Sequence, residues 1–513
     1  MTSDRPRRPA AAPEATDDRR RRPGRASRTY AAVRADTVRA LPPADRHLVR
    51  RFSWGLTPAL AEEVRRAGGG RAWFERQLRP ADLPDPAGAD IDGWYPSTLR
   101  SPRAIWDRHH SEQEYIWDVV ADLSRRTVAR RIHGRRQVHE LMVDFWSNLL
   151  HVTLGHEEAQ FWRMDYDRVI RANALGSFET LLQRTITHPA MGLYLDNAFS
   201  SKWAPNENLG RELLELHTVG VDAGYTEDDV KASARMLTGY RVDLWDDFAH
   251  AYEPEWHDTD PVKVMSFKHR NDRADGRAAT LAYLSYLAHH PATARRLAHR
   301  LCVRFVSDTP SASIVNAVAK AYSTGRTAIV PTLRALVSHP DFDAAPMSKV
   351  RMPTEDYVAT VRALGIRLQR PGRDDAFANA MYWQYSQAGQ PPYEWPAPNG
   401  YPEVGAAWSS AGRVLTSVYV HRDLAARWWP TERATFPTER SMLPPMPATL
   451  LQVIDQLGLR LLGERPRQGI AEGVATVVGL PLSRRLTADE VVDSWTFTRI
   501  VASLLDSPLH LHR

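Results

Sequence analysis

The sequence predicts a mainly α fold: one large multi-helix globular domain with long aromatic-rich loops, or two intimately packed helical lobes. Three observations predict it. Apolar residues recur at spacings of three and four over long stretches. Alternating apolar and polar runs of the strand type are scarce. Helix start and stop residues punctuate the chain. At 513 residues the chain is long enough for a large core, and it shows no internal repeat.

Residues 1–44 read as a disordered tail rich in Arg, Pro and Ala, and residues 45–513 as the helical domain. The first 34 residues hold ten Arg and four acids, which is the whole formal charge of +6. The body is therefore neutral. With no nucleic-acid motif either, the composition argues against a nucleic-acid partner. No apolar run follows the arginines, so no signal peptide is readable, and no stretch approaches the roughly 20 apolar residues of a membrane span. Cytoplasmic residence is the default expectation, with export left open. Cys302 is the only cysteine, which excludes an internal disulfide and a cysteine-built metal site.

Thr57 as N-cap and Pro58 at the first helical position predict a helix from Pro58 to about Arg66, closed by Gly68-Gly69-Gly70. A second helix carries Trp73, Phe74 and Leu78. Residues 81–89 read as a Pro-rich loop. Residues 101–185 read as long helices, with Trp106, Trp117 and Trp146 expected in the core. Residues 243–275 are less regular. Helical pattern returns at Leu281–Leu287, at Pro291–Phe305, over residues 328–337 with Thr327 as N-cap, and over residues 354–364. Residues 387–408 read as a loop with five prolines and three glycines, ordered by its aromatic residues. The stretch from about Leu450 to Leu505 is helical again.

The richest segment is Asn206–Tyr240. As a helix, Asn206–His217 puts Leu209, Leu213 and Leu216 on a core face. Asn208, Arg211, Glu212 and Glu215 then share the opposite face. Glu207 and Arg211 stand four apart, as do Arg211 and Glu215, so one reading is a solvated face of ion pairs. The other is a carboxylate pair, Glu212 and Glu215, lining a cleft with Arg211 tuning their charge. Neighbouring carboxylates repel, which raises one pKa and suits a general acid. Carboxylate and imidazole could also hold a metal. Gly220 stops this helix, and Thr226 with Asp229 reads as a capping box that starts the next one, Glu227–Leu237. Two helices joined this tightly form an αα-hairpin.

These residues resemble the bacterial family called domain of unknown function 1800. Asn206–Tyr240 resembles its most specific block, with Gly210 where Ala is usual. Phe145-Trp146-Ser147-Asn148, Ile170-Arg171, His188-Pro189, Tyr194 to Asn197, His257-Asp258, His290-Pro291, Lys349-Val350-Arg351 and Pro398 to Trp408 have counterparts in order. The strongest similarity covers about residues 50–425. The resemblance implies a helical fold and no settled activity. It also implies a phosphatase- or sulfatase-like neighbouring protein as partner.

Three functional expectations follow. The first is a hydrolase acting on a polar, glycan-like substrate, with a small molecule or a glycan as its ligand. Its acid/base residues are Glu212 and Glu215, tuned by Arg211, and its substrate-binding residues are Asn197, Asn208, Trp256, Trp395 and Tyr401. The second is a hydrolytic or oxidative enzyme with a divalent metal on His217, His257, Asp258 and a glutamate. The third is a non-catalytic scaffold or partner subunit whose motif residues form buried ion-pair networks.

Overall fold

Capped amphipathic segments follow one another with short connections, and their apolar stripes can only be buried against each other. In the computed structural model, described over residues 28–33, 37–244 and 248–513, helix accordingly makes up 59% of the chain. Among the described residues no strand exceeds four residues, the length of Ala434–Pro437. That strand takes Thr29–Tyr30 in parallel on one side and Arg367–Leu368 antiparallel on the other. The remaining sheets are two-stranded. No helix is long and apolar enough to cross a membrane among the described residues.

Most expected elements are present. Thr57 caps Pro58–Ala67 by accepting from Leu60 N, and Gly68 closes it in the left-handed region. Residues 102–186 form five helices, the longest being Ile116–His133. The stripe Ala294, Leu297, Leu301 and Phe305 is buried on Pro291–Phe305.

Four local readings change. Residues 81–89 carry the start of a helix, Pro86–Asp92, because Asp85 caps it by accepting from Gly88 N. Thr327 does not cap the helix after it. That helix starts at Ile329, and the Thr327 hydroxyl instead accepts from Glu179 N. Trp117 is 57% exposed and stacks on Tyr115 at 4.3 Å, since Ile116 and Val119 take the inward face. The tail is shorter than 44 residues where it can be described: Thr29 lies opposite Phe436, and a helix begins at Pro43. The arginine run of residues 1–27, together with residues 34–36 and Trp245, lies outside the described residues.

One apolar cluster runs from Leu41 to Leu509, so the helices share a continuous core. Arginine–carboxylate networks thread it. Glu140, 2% exposed, accepts from Arg130 Nε at 3.0 Å and from Arg171 Nη1 at 2.9 Å. Asp167, fully buried, accepts from Arg171 Nε at 2.7 Å and from Arg126 at 2.6 Å. A third network joins Arg304 to Asp144 and Glu355, both at 2.9 Å, and Glu355 to Arg513 at 2.8 Å. Burial alone would push these carboxyls up. The arginines more than offset it, holding Asp167 and Glu355 down to about 2 and Glu140 well below the usual carboxylate range.

Glu140→Gln leaves two buried guanidinium groups short of charge and should cost about 3–5 kcal/mol in urea unfolding. Carboxyls with depressed folded pKa values stabilise above the ordinary carboxylate range. Wild-type stability should therefore hold at neutral pH and fall as pH drops from about 4 towards 2. A variant within about 0.5 kcal/mol of wild type would show that the network carries little.

Candidate functional site

The signature helix is regular only over Glu207–Glu212, with Asn206 capping it by accepting from Asn208 N. It then widens into a π turn over Leu213–His217. Such turns are rare and concentrate at functional sites. Its end is well satisfied. The Thr218 hydroxyl donates to Leu213 O at 2.5 Å, Gly220 N to Leu214 O at 2.9 Å and Arg296 Nη2 to Leu216 O at 3.0 Å. Gly220 has φ +87°, and an added Cβ there would meet Arg296 Nη1 at 3.1 Å. The capping box at Thr226 and Asp229 starts Glu227–Met236, completing the αα-hairpin. The two helices approach closely at Gly210, where an added Cβ would lie 2.7 Å from Ala234 N.

Most polar residues of this segment are tied into the fold. Arg211 turns to the second helix, donating to both oxygens of Glu227 at 2.8 and 2.6 Å and to Glu207 at 3.2 Å. Those bonds raise its pKa. It is therefore a hairpin clasp, acting on Glu212 only through its charge. Asn208 Nδ2 donates to Asp196 Oδ2 at 3.1 Å, and buried Asn197 donates to Leu237 O at 3.0 Å.

Glu212 differs. It is half-buried and makes no hydrogen bond or ion pair among the described residues. Burial raises its pKa, Glu215 adds to the rise, and Arg211 opposes it. Glu215, also half-buried, receives only a long contact of 3.5 Å from Tyr225 Oη. Tyr194, whose own pKa is pushed up to about 12 by burial and then by Glu212, donates to Pro396 O at 2.9 Å. The acidic turn therefore faces the 387–408 loop.

That loop is held from below. Asn148 Nδ2 donates to Tyr401 O at 2.9 Å, and Asn148 Oδ1 accepts from Tyr401 N at 2.7 Å. His151 Nε2 lies 2.7 Å from Trp395 O. Trp395 and Tyr401 pack with ring centroids 5.1 Å apart, and Tyr401 Oη donates to Pro391 O. Both rings pin the loop. Beneath them is a polar cavity of about 30 Å³, lined by Arg131, Asp144, Ser147, Asn148, His151 and Tyr401 among others. It has room for one or two waters. At the start of the signature segment Trp203, 68% exposed, meets the edge of Trp256 at 5.6 Å, and Arg241 lies over the Trp256 ring at 3.5 Å.

The expected metal ligands do not converge. His217 is buried with Nδ1 3.0 Å from Leu149 O and Nε2 unpartnered. Burial pushes its pKa down to about 4. Both nitrogens of His257 are used, Nδ1 facing Thr238 O at 3.0 Å and Nε2 facing Asn271 Oδ1 at 3.1 Å. Asp258 accepts from Arg235 at 3.3 Å and from Asp260 N. A loop stabilised by its own hydrogen bonds needs these groups where they are, so His257 and Asp258 act as a structural corner. Among the described residues the one group with clustered metal-ligating atoms is Asp356, His421 and His510.

Sequence reading missed the ridge Arg296, Arg300 and Arg304, although its spacing of four was visible. Arg300 binds Glu403 at 3.2 Å, so the ridge spans from the signature turn to the loop.

The chain matches the family model described as "Protein of unknown function (DUF1800)" over residues 47–510. No curated protein and no solved structure matches it.

Glu212→Gln tests the free carboxyl. A raised folded pKa means stability is fullest when the group is protonated and is lost as pH rises through that value. Removing the charge should leave the melting temperature at pH 7 equal or higher, with the difference closing below about pH 4. A lower melting temperature at pH 7 would mean the carboxylate is paired.

Proposed function

We propose that this chain, which belongs to the DUF1800 family, is an acid/base hydrolase of a polar, glycan-like substrate, with Glu212 as proton donor. The observation that carries the reading is the unpartnered, half-buried Glu212 carboxyl with raised proton affinity, on the last regular residue before a π turn. Arg211 and Glu207 are paired with each other, Arg211 also binds Glu227, and Glu215 meets Tyr225 Oη at 3.5 Å. A general acid must keep its proton near neutral pH, and burial beside a second carboxylate is how enzymes arrange this. Glu215 is the second carboxylate, serving as base or electrostatic stabiliser. The exposed ring of Trp203 beside Trp256 offers an apolar face on which a sugar ring can stack.

A second reading has specific support. Arg211, Asn197, Asn208, His257 and Asp258 are all engaged in internal bonds, as a non-catalytic scaffold or partner subunit would have them. A phosphatase- or sulfatase-like partner fits that reading, and copurification tests it.

The discriminating experiment is a panel of aryl glycosides and oligosaccharides assayed by leaving-group or reducing-end release. Glu212→Gln should lower kcat by about 10²–10⁴-fold on any accepted substrate and remove the alkaline limb of the pH profile. Turnover unchanged by Glu212→Gln would remove Glu212 from the chemistry, and no turnover on any member of the panel would favour the scaffold.

A further inference from the structure

Three side chains from distant parts of the chain meet in the core, away from the acidic turn. Asp356 lies on Pro353–Ala363, His421 on Ala411–Ala425 and His510 on the short helix Pro508–Leu511. Asp356 and His421 are fully buried, and His510 is 3% exposed. Asp356 Oδ1 is 3.2 Å from His421 Nε2 and 3.3 Å from His510 Nε2. The three atoms all lie within 4.8 Å of one another.

The far edges of His421 and Asp356 are already occupied. Asp506 Oδ1 lies 2.7 Å from His421 Nδ1, where it accepts the ring proton. Asp356 Oδ2 accepts from Ser417 at 2.7 Å and from Arg413 at 3.2 Å. The neutral tautomer of His421 that Asp506 selects therefore turns the Nε2 lone pair towards a carboxylate oxygen. Two acceptors at that distance in a dry core need a positive charge between them. A tetrahedral ion with ligands at about 2.0–2.1 Å holds its donors about 3.3 Å apart, which matches the two separations. Two carboxylates against one directly bonded guanidinium leave the cluster net negative when both imidazoles are neutral.

We propose that Asp356, His421 and His510 form a binding site for a divalent transition-metal ion, with Zn²⁺ as the natural occupant of two imidazoles and one carboxylate. Asp506 serves as the outer carboxylate of a carboxylate–histidine–metal arrangement, which fixes the tautomer and raises ligand basicity. Thr360 Oγ1 is hydrogen-bonded to the same His510 Nε2 at 2.9 Å, a bond that the ion displaces when it takes that nitrogen's lone pair. The ion's role is to clip the helix ending near residue 511 to two core helices. It is independent of Glu212. The competing occupant is a proton, which would make His421 an imidazolium between Asp356 and Asp506.

The test is metal analysis of the full chain, made without a histidine tag in zinc-supplemented medium. A stoichiometric ion is expected. Refolding in chelator should lower the melting temperature, and Zn²⁺ should restore it. Refolding with Co²⁺ should give a visible band characteristic of nitrogen ligation, which His510→Gln abolishes. Asp506→Asn should weaken Zn²⁺ binding by about 10–100-fold. Wild-type protein that holds no metal and gains no stability from Zn²⁺ on refolding would assign the site to a proton and overturn the proposal. Metal retained by both His421→Ala and His510→Gln would place the ion elsewhere, with the same consequence. If a variant fails to fold, the wild-type metal content and Co²⁺ spectrum decide alone.

Discussion

Arg304 sits 1% exposed in the core, its charge shared between Asp144 and Glu355. A buried guanidinium without carboxylates would be expelled or would unfold its surroundings, because taking an ion out of water costs several kcal/mol. The pairing therefore fixes where three helices can lie: Gln137–Leu149 through Asp144, Pro291–Phe305 through Arg304, and Pro353–Ala363 through Glu355. Glu355 in turn draws in Arg513, whose guanidinium also donates to Arg51 O and Arg304 O. Packing alone would let these helices slide; a charged network admits fewer arrangements.

The candidate site hangs from two of these three helices. Four residues after Asp144, Asn148 takes both backbone groups of Tyr401 and so sets the aromatic loop. The next residue, Leu149, offers its carbonyl to His217 at the end of the π turn. One turn before Arg304, Arg300 binds Glu403, and one turn earlier still Arg296 caps Leu216 O. The acidic turn and the loop it faces are thus positioned by neighbours of the buried network. This arrangement holds the segment around Glu212 without a hydrogen bond or ion pair to the Glu212 carboxyl itself among the described residues.

Much of this was legible in the sequence. Helical spacing, the Thr57 and Thr226 caps and the burial of Leu209 and Leu213 are local signals, and local physics answers them; past Glu212 the π turn rotates the face, so that Leu214 is buried and Leu216 half-buried. The acidic face was legible too, but its pairing was not. Arg211 keeps Glu207 at 3.2 Å within its own helix, but its shorter bonds go to Glu227 on the next one, which only the hairpin brings near. His257 and Asp258 looked available because they sit in an irregular stretch. Thr238 and Asn271, which satisfy them, are 19 and 14 residues away. The Asp356, His421 and His510 group spans separations of 65 and 89 positions with no motif spacing at all. Convergence of that kind depends on the tertiary fold.

Everything proposed for the signature segment turns on Glu212, whose carboxyl is half-buried, has no hydrogen bond or ion pair among the described residues, and is raised in pKa by burial. Carbon-13 NMR titration of the glutamate side-chain carboxyls, with Glu212 assigned by its loss in Glu212→Gln, measures this directly. The account predicts a midpoint clearly above the ordinary glutamate value of about 4.3. A midpoint at or below that value would mean that Glu212 is solvated or ion-paired, and would contradict the account.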